Sequence, residues 1–175
     1  MDAVAEVGEK APMFSLESLT GGEYSLKRSA GKVVVLTFWS AECPWSRKAD
    51  KYIKSQDYSA EWGDEVVHWR IASNANETEA ELMEAAAERQ VEPVLLDTNN
   101  EVADLYGAMT TPHVYVVDSQ GVLRYAGALN DATWREPEPT KDYLGEAVAA
   151  AKKGRSPEPA ETPGRGCTIV RYKLD

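Results

Sequence analysis

The stretch Val33-Val34-Val35-Leu36-Thr37-Phe38-Trp39-Ser40-Ala41-Glu42-Cys43-Pro44-Trp45-Ser46 decides how the rest of the chain is read. Val33 to Trp39 is a nearly unbroken β-branched and aromatic run behind Gly31-Lys32, the pattern of a strand covered on both faces and lying inside a sheet. Pro44 suits the first turn of a helix, where its missing N–H has no intrahelical partner to lose. Trp45, Ala49, Tyr52 and Ile53 then recur at helical spacing to about Tyr58. Cys43 therefore stands at a helix N-terminus, between a strand and a helix. A thiol reacts as its thiolate, which the helix dipole and the open N–H groups of the first turn stabilise. The bland account is a buried cysteine acting as a small hydrophobe; the position favours the reactive one.

Working outward, Met13 to Leu16 and Tyr24 to Leu26 flank Gly21-Gly22 as a small hairpin ahead of the main strand. Val66 to Ala72 reads as a second strand. Asn76-Glu77-Thr78-Glu79 resembles a capping box opening an Ala/Glu-rich helix to about Gln90. Val94 to Leu96 is a short strand, and Thr98 with Glu101 starts a short helix through Leu105 that Gly107 closes. Val114 to Val117 and Val122 to Tyr125 form a hairpin around Asp118-Ser119-Gln120-Gly121. A last helix runs from about Lys141 to Lys153. Residues 155–166 hold Pro157, Pro159, Pro163, Gly164 and Gly166, a composition expected to be extended or mobile, before the β-branched run Cys167 to Tyr172, suited to a sheet edge. Alternating elements of this kind predict an α/β domain with a mostly parallel sheet, helices on both faces and an antiparallel hairpin at its close.

With 175 residues, 43% hydrophobic, the chain suits one globular core: residues 1–154 as the domain and 155–175 as an extension packed on it or mobile relative to it. The formal charge of −10 disfavours nucleic acid and anionic lipid as partners. No stretch is long and apolar enough to span a bilayer, and Met1 to Lys10 has no signal-peptide pattern. A cytoplasmic location is the default expectation, with a periplasmic or secreted one if an export signal has been removed. Two cysteines, Cys43 and Cys167, are too few for a disulfide scaffold or a structural zinc site. No metal and no cofactor is expected.

The segment Phe38 to Ser46 resembles the thioredoxin-family active site, in which C-x-x-C follows an F-W-x-x-x approach. The resemblance makes Cys43 the attacking cysteine and puts Ser46 in the place of the second. Ser46 is left either as a hydrogen-bond donor to the thiolate or as an ordinary first-turn serine. Thr111-Pro112, just before a strand, matches the cis-proline that faces the reactive cysteine in that fold. The resemblance implies a substrate groove formed by Trp39, Trp45, Thr111 and Pro112. His113 reads as a structural histidine rather than a base or ligand. The front hairpin and the extra helix and strand before Pro112 resemble the redoxin branch that holds alkyl hydroperoxide reductase/thiol-specific antioxidant proteins and bacterial thiol reductases. The tail Gly166-Cys167-Thr168-Ile169 resembles an ending that recurs in bacterial redoxin-domain proteins. The implied architecture is a thioredoxin-like fold: a central mixed sheet flanked by helices, with an N-terminal hairpin and an inserted α-β unit.

Two departures shape the expected activity. Peroxiredoxins carry P-x-x-x-[TS]-x-x-C; here Ser40 fills the Ser/Thr place, but Leu36 stands where the proline belongs. Thioredoxin's buried carboxylate, six residues before the cysteine, is Thr37, which leaves Glu42 or water to manage the proton. The expected partners are protein or small-molecule thiols and disulfides, ahead of a hydroperoxide. Cys167 is the only second thiol in the chain and either resolves Cys43 or packs as a bystander. The competing classes are a thiol–disulfide oxidoreductase, a peroxiredoxin-like reductase, and a non-catalytic module binding partners beside Trp45. A Cys–His hydrolase using His113 ranks last because no oxyanion motif accompanies it.

Overall fold

The computed structural model describes residues 4–171. Strands β1 (Ser15–Glu17) and β2 (Glu23–Ser25) form the front hairpin, with Leu16 opposite Tyr24. The main sheet is built from β3 (Val33–Trp39), β4 (Val66–Ala72), β5 (Val94–Leu96), β7 (His113–Val117) and β8 (Leu123–Gly127), in the order β5-β4-β3-β7-β8. The two-residue strand β6 (Thr110–Thr111) lies outside it and pairs with β9 (Cys167–Thr168). Helices α1 (Pro44–Gln56), α2 (Ser59–Trp62), α3 (Glu79–Arg89), α4 (Glu101–Tyr106) and α5 (Tyr143–Ala151) complete the fold.

All seven residues of β3 are buried, as its composition requires. The twofold periodicity of a strand divides them. Val34, Leu36 and Phe38 join Trp69, Tyr106 and Tyr115 under α4, the hairpin and the N-terminal segment. Val33 and Val35 join Tyr125, Leu144 and Val148 under α1 and α5. The sheet is mixed, as the resemblance implies, and not mostly parallel, as the alternation of elements alone predicts: β4 and β5 run parallel to β3, β7 runs antiparallel to β3, and β8 runs antiparallel to β7. The hairpin signal was legible, but the direction in which β7 enters is fixed by the Thr111-Pro112 turn ahead of it, which has no strand periodicity.

Two helix starts differ from expectation. Thr78, not Asn76, caps α3, its hydroxyl accepting the Glu81 N–H at 3.2 Å; this frees Glu77 for another use. At α4 the cap comes from outside the helix, because the Asp97 carboxylate accepts the N–H groups of Val102 and Ala103 at 3.1 and 2.9 Å. Thr98 makes neither bond.

The tail packs on the domain as far as Arg171. Ala126 exchanges backbone hydrogen bonds with Ala160 and Thr162, Ile169 N–H donates to the Met109 carbonyl at 3.0 Å, and Ala75 N–H donates to the Val170 carbonyl at 2.8 Å. Ile169 is buried in the core. Prolines and glycines left this segment without a regular element, yet strand edges elsewhere satisfy its backbone, so it is extended and packed. Only Cys167 and Thr168 of the expected strand pair as one, and Tyr172 lies outside the described residues.

Both histidines are tuned by packing. His113 stacks on Tyr115 with centroids 4.7 Å apart, its Nδ1 accepts the Met109 N–H, and burial pushes it down to about 4. His68, bonded to Thr37 at 2.8 Å and flanked by Trp62, is held well below its ordinary value, first by burial and then by the Arg70 charge. Both prefer the neutral form in the folded state. The His113 contribution is complete above the unfolded value near 6.5 and is lost as the pH falls through 6.5 toward about 4, and that of His68 begins to be lost at the same unfolded value. The unfolding free energy from urea titrations should therefore fall between pH 7.5 and 4.5, by ~2 kcal/mol for His113. A His113→Gln variant should show a flatter profile; an equally steep one would assign the acid loss to other groups.

Candidate functional site

Cys43 caps α1 in an extended conformation and is 4% exposed. The loop leading into it is clamped from several sides. Ser40 Oγ accepts the N–H groups of Cys43 and Glu42 at 3.0 and 3.2 Å. Ser40 N–H in turn donates to Ser46 Oγ at 3.0 Å. Glu77, released from capping duty, accepts the Ala41 N–H at 2.7 Å and the Ser40 hydroxyl at 2.5 Å. Arg89 donates to the carbonyls of Ser40 and Ala41 at 2.9 and 2.6 Å.

Behind this loop lies a charged cluster. Asp50, on the buried face of α1, accepts from Trp39 Nε1 at 2.7 Å, Arg70 at 3.1 Å and Arg89 at 3.3 Å. The Arg89 guanidinium also lies 5.0 Å from the Trp39 ring centroid. A buried carboxylate with two guanidinium partners satisfies the requirement that interior charges be paired. Sequence reasoning missed Glu77, Arg89 and Asp50, whose partners lie up to 49 residues away; no local pattern marks them.

Ser46 is fully buried, and its bond to Ser40 is that of a first-turn serine holding the loop. Among the described residues it makes no hydrogen bond to the Cys43 sulfur. Trp39, expected in a substrate groove, is 1% exposed and turned toward α3, with Ala72, Leu82 and Val94 as neighbours. The alternation of β3 puts Phe38 and Trp39 on opposite faces, and both faces are covered. Thr111 is also fully buried, while Trp45 and Pro112 lie on the wall of one cavity. Glu42 is exposed and held above its usual carboxylate range, chiefly by the hydrogen bond to Glu81 and that group's charge.

The Thr111–Pro112 peptide is cis. Its loop brings the Thr111 carbonyl to 3.2 Å from Cys43 Sγ, and the same residue pairs with Cys167 in the β6–β9 ladder. Cys43 and Cys167 are joined as a disulfide across 124 residues, with Cα atoms 6.1 Å apart. The tail reaches this position because Gly166 has no side chain; a methyl group there would run into the Thr111 carbonyl and the Pro112 ring. Glu77→Gln puts an amide N–H₂ where Ser40 and Asn74 need an acceptor. We expect it to lower the stability of the oxidised protein by ~2 kcal/mol in urea. An unchanged midpoint would show that Arg89 alone holds the loop.

A strand–loop–helix that presents one cysteine to a cis-proline loop, on a sheet of this order, defines a thioredoxin-like protein. The chain belongs to the AhpC/TSA family, whose model matches residues 7–126. It is 31% identical over 123 residues to the thiol-disulfide oxidoreductase ResA of Halalkalibacterium halodurans, covering 69% of this chain and 68% of the relative. It is 29% identical over 119 residues to the thioredoxin-like protein YneN of Bacillus subtilis, covering 67% and 68%. An uncharacterized conserved protein from Geobacillus kaustophilus superposes with a TM-score of 0.82 at 25% identity, over 97% of this chain and 94% of its own. A hypothetical protein from Sinorhizobium meliloti 1021 superposes with a TM-score of 0.79 at 25% identity, over 99% and 98%. Both structural matches extend over the tail.

Proposed function

We propose that the protein is a thiol–disulfide oxidoreductase that cycles between a Cys43/Cys167 dithiol and the Cys43–Cys167 disulfide. The observation that carries this reading is the pairing of the two cysteines beside cis-Pro112. In the dithiol state the Cys43 thiolate attacks one sulfur of a substrate disulfide, forming a mixed disulfide and releasing the first substrate thiolate. The Cys167 thiolate then attacks the Cys43 sulfur, which releases the second thiolate and closes the protein disulfide. Two electrons pass from protein to substrate, and an external dithiol reductant returns the protein to its starting state.

The roles follow from position. Cys43, capping a 13-residue helix, has the better stabilised thiolate. With Ser46 committed to Ser40, Cys167 is the resolving thiol. Disulfides are favoured over hydroperoxides because Leu36 sits fully buried within β3, and the Ser40 hydroxyl is engaged by Cys43, Glu42 and Glu77. The chemistry suits both compartments considered for the chain. In a reducing cytosol such a disulfide is a transient of catalysis, and in an oxidising compartment it is the resting form. No helix among the described residues is long and apolar enough to cross a membrane. The test is steady-state reduction of insulin with a dithiol donor, together with peptide mapping of the oxidised protein. Catalysis with a mapped Cys43–Cys167 cross-link supports the reading; a bound substrate without turnover would leave a binding module.

A further inference from the structure

Next to the cysteine pair, a cavity of about 110 Å³ opens between the first turns of α1 and the segment joining β8 to α5. Its wall includes Trp45, Lys48 and Tyr52 from α1, Pro112 from the cis loop and Arg165 from the tail. Two cations and no carboxylate line it, in a chain of formal charge −10. The cations are held in place. Lys48 Nζ lies 5.6 Å from the Trp45 ring centroid and 5.5 Å from that of Trp134, and the two indoles meet edge-on at 4.7 Å. Ring faces orient an ammonium without neutralising it. Arg165 donates one N–H to the Ala132 carbonyl at 3.3 Å, leaving other donors of its fork for a ligand. Neither side chain forms an ion pair among the described residues.

The cavity is close to the chemistry. Trp45 follows Cys43 by two residues and Arg165 precedes Cys167 by two, so each is within ~7 Å of backbone reach of a reacting cysteine. The acidic group Glu42, Glu77 and Glu81 surrounds the loop on the other side of Cys43, where it repels an anion. Trp134 is 69% exposed, an indole left open at the rim.

The geometry points to a specificity site for substrates: the Lys48/Arg165 cavity accepts an acidic side chain within about two residues of the substrate cysteine, so that the protein prefers disulfides in acidic peptide segments. The inference rests on the exchange reading above and names its substrate class. Lys48 and Arg165 supply the charge, and Trp45 with Trp134 supplies an apolar flank for the peptide.

The experiment compares three symmetric peptide disulfides that differ only in Glu, Gln or Lys beside the cysteine. Each rate is divided by the rate of the same peptide with 2-mercaptoethanol, which removes intrinsic reactivity. The expected order is Glu, then Gln, then Lys, with kcat/KM for Glu about tenfold above Lys. The difference should shrink in about 0.5 M NaCl. Lys48→Glu and Arg165→Glu should each reverse the order of Glu and Lys, while Arg165→Lys and the neutral Lys48→Gln should weaken it without reversal. Equal normalised rates for the three peptides, or an order that neither charge reversal moves, would overturn the specificity site while leaving exchange intact. If no peptide reacts faster than with 2-mercaptoethanol, the exchange reading falls, and this inference with it.

Discussion

A Cys43→Ser variant is expected to reduce insulin no faster than the dithiol donor alone. The chain has two cysteines, and only Cys43 combines a helix N-terminus with contact to the cis-Pro112 loop, so its loss removes the nucleophile. Cys167→Ser should behave differently: Cys43 attacks once and the mixed disulfide persists, because Ser46 holds Ser40 and no other thiol is near. Intact mass should show one substrate half attached to Cys43. Turnover should fall on the order of 10²-fold, since an intramolecular thiol is replaced by a dilute external one. Wild-type turnover by Cys167→Ser would make Cys167 a bystander. Residual catalysis by Cys43→Ser, with the substrate trapped on Cys167, would exchange the two roles.

Reducing the disulfide should also cost the fold much of its stability. The closed loop spans 124 residues, and the chain-entropy relation for a loop of that size gives ~5 kcal/mol as an upper figure. For a domain of this length that corresponds to a fall in Tm of roughly 10–20 °C. The relation acts through the unfolded chain, and residual structure in the reduced, unfolded state lowers the measured effect, so the lower part of that range is expected. Thermal unfolding with and without reductant measures it, and a Cys43→Ser/Cys167→Ser double variant should no longer respond to reductant. Identical Tm values for oxidised and reduced wild type would show that the tail is held by its backbone alone.

The features written locally in the sequence were legible. Val33 to Trp39 is a central strand because every residue in it is suited to burial, and Pro44 starts α1 where a helix tolerates proline. Thr111-Pro112 is different: only its family resemblance identified it as a cis turn. What escaped reading depends on partners distant in sequence. Glu77 looked like part of a capping box because its neighbours are helix-opening residues, and nothing near it reveals the Ala41 N–H it accepts 36 residues earlier. Asp97 caps a helix at whose edge local spacing offers Thr98, because its carboxylate reaches forward to the N–H groups of Val102 and Ala103. Trp39 was placed in a groove by resemblance, while the Asp50 carboxylate that draws it inward came from the next helix. The composition of the tail leaves packed and mobile both open, because proline and glycine lower regularity without by themselves preventing packing against a strand edge.

The cross-link makes residues 43–167 a covalent ring. The exposed stretch Trp134 to Glu138, between β8 and α5, lies within it. A protease that nicks the chain after Arg135 therefore yields two pieces that stay attached while the protein is oxidised and separate when it is reduced. On a gel, the same single cut is invisible without reductant and complete with it, so the migration of the nicked protein counts the fraction of molecules whose ring is closed.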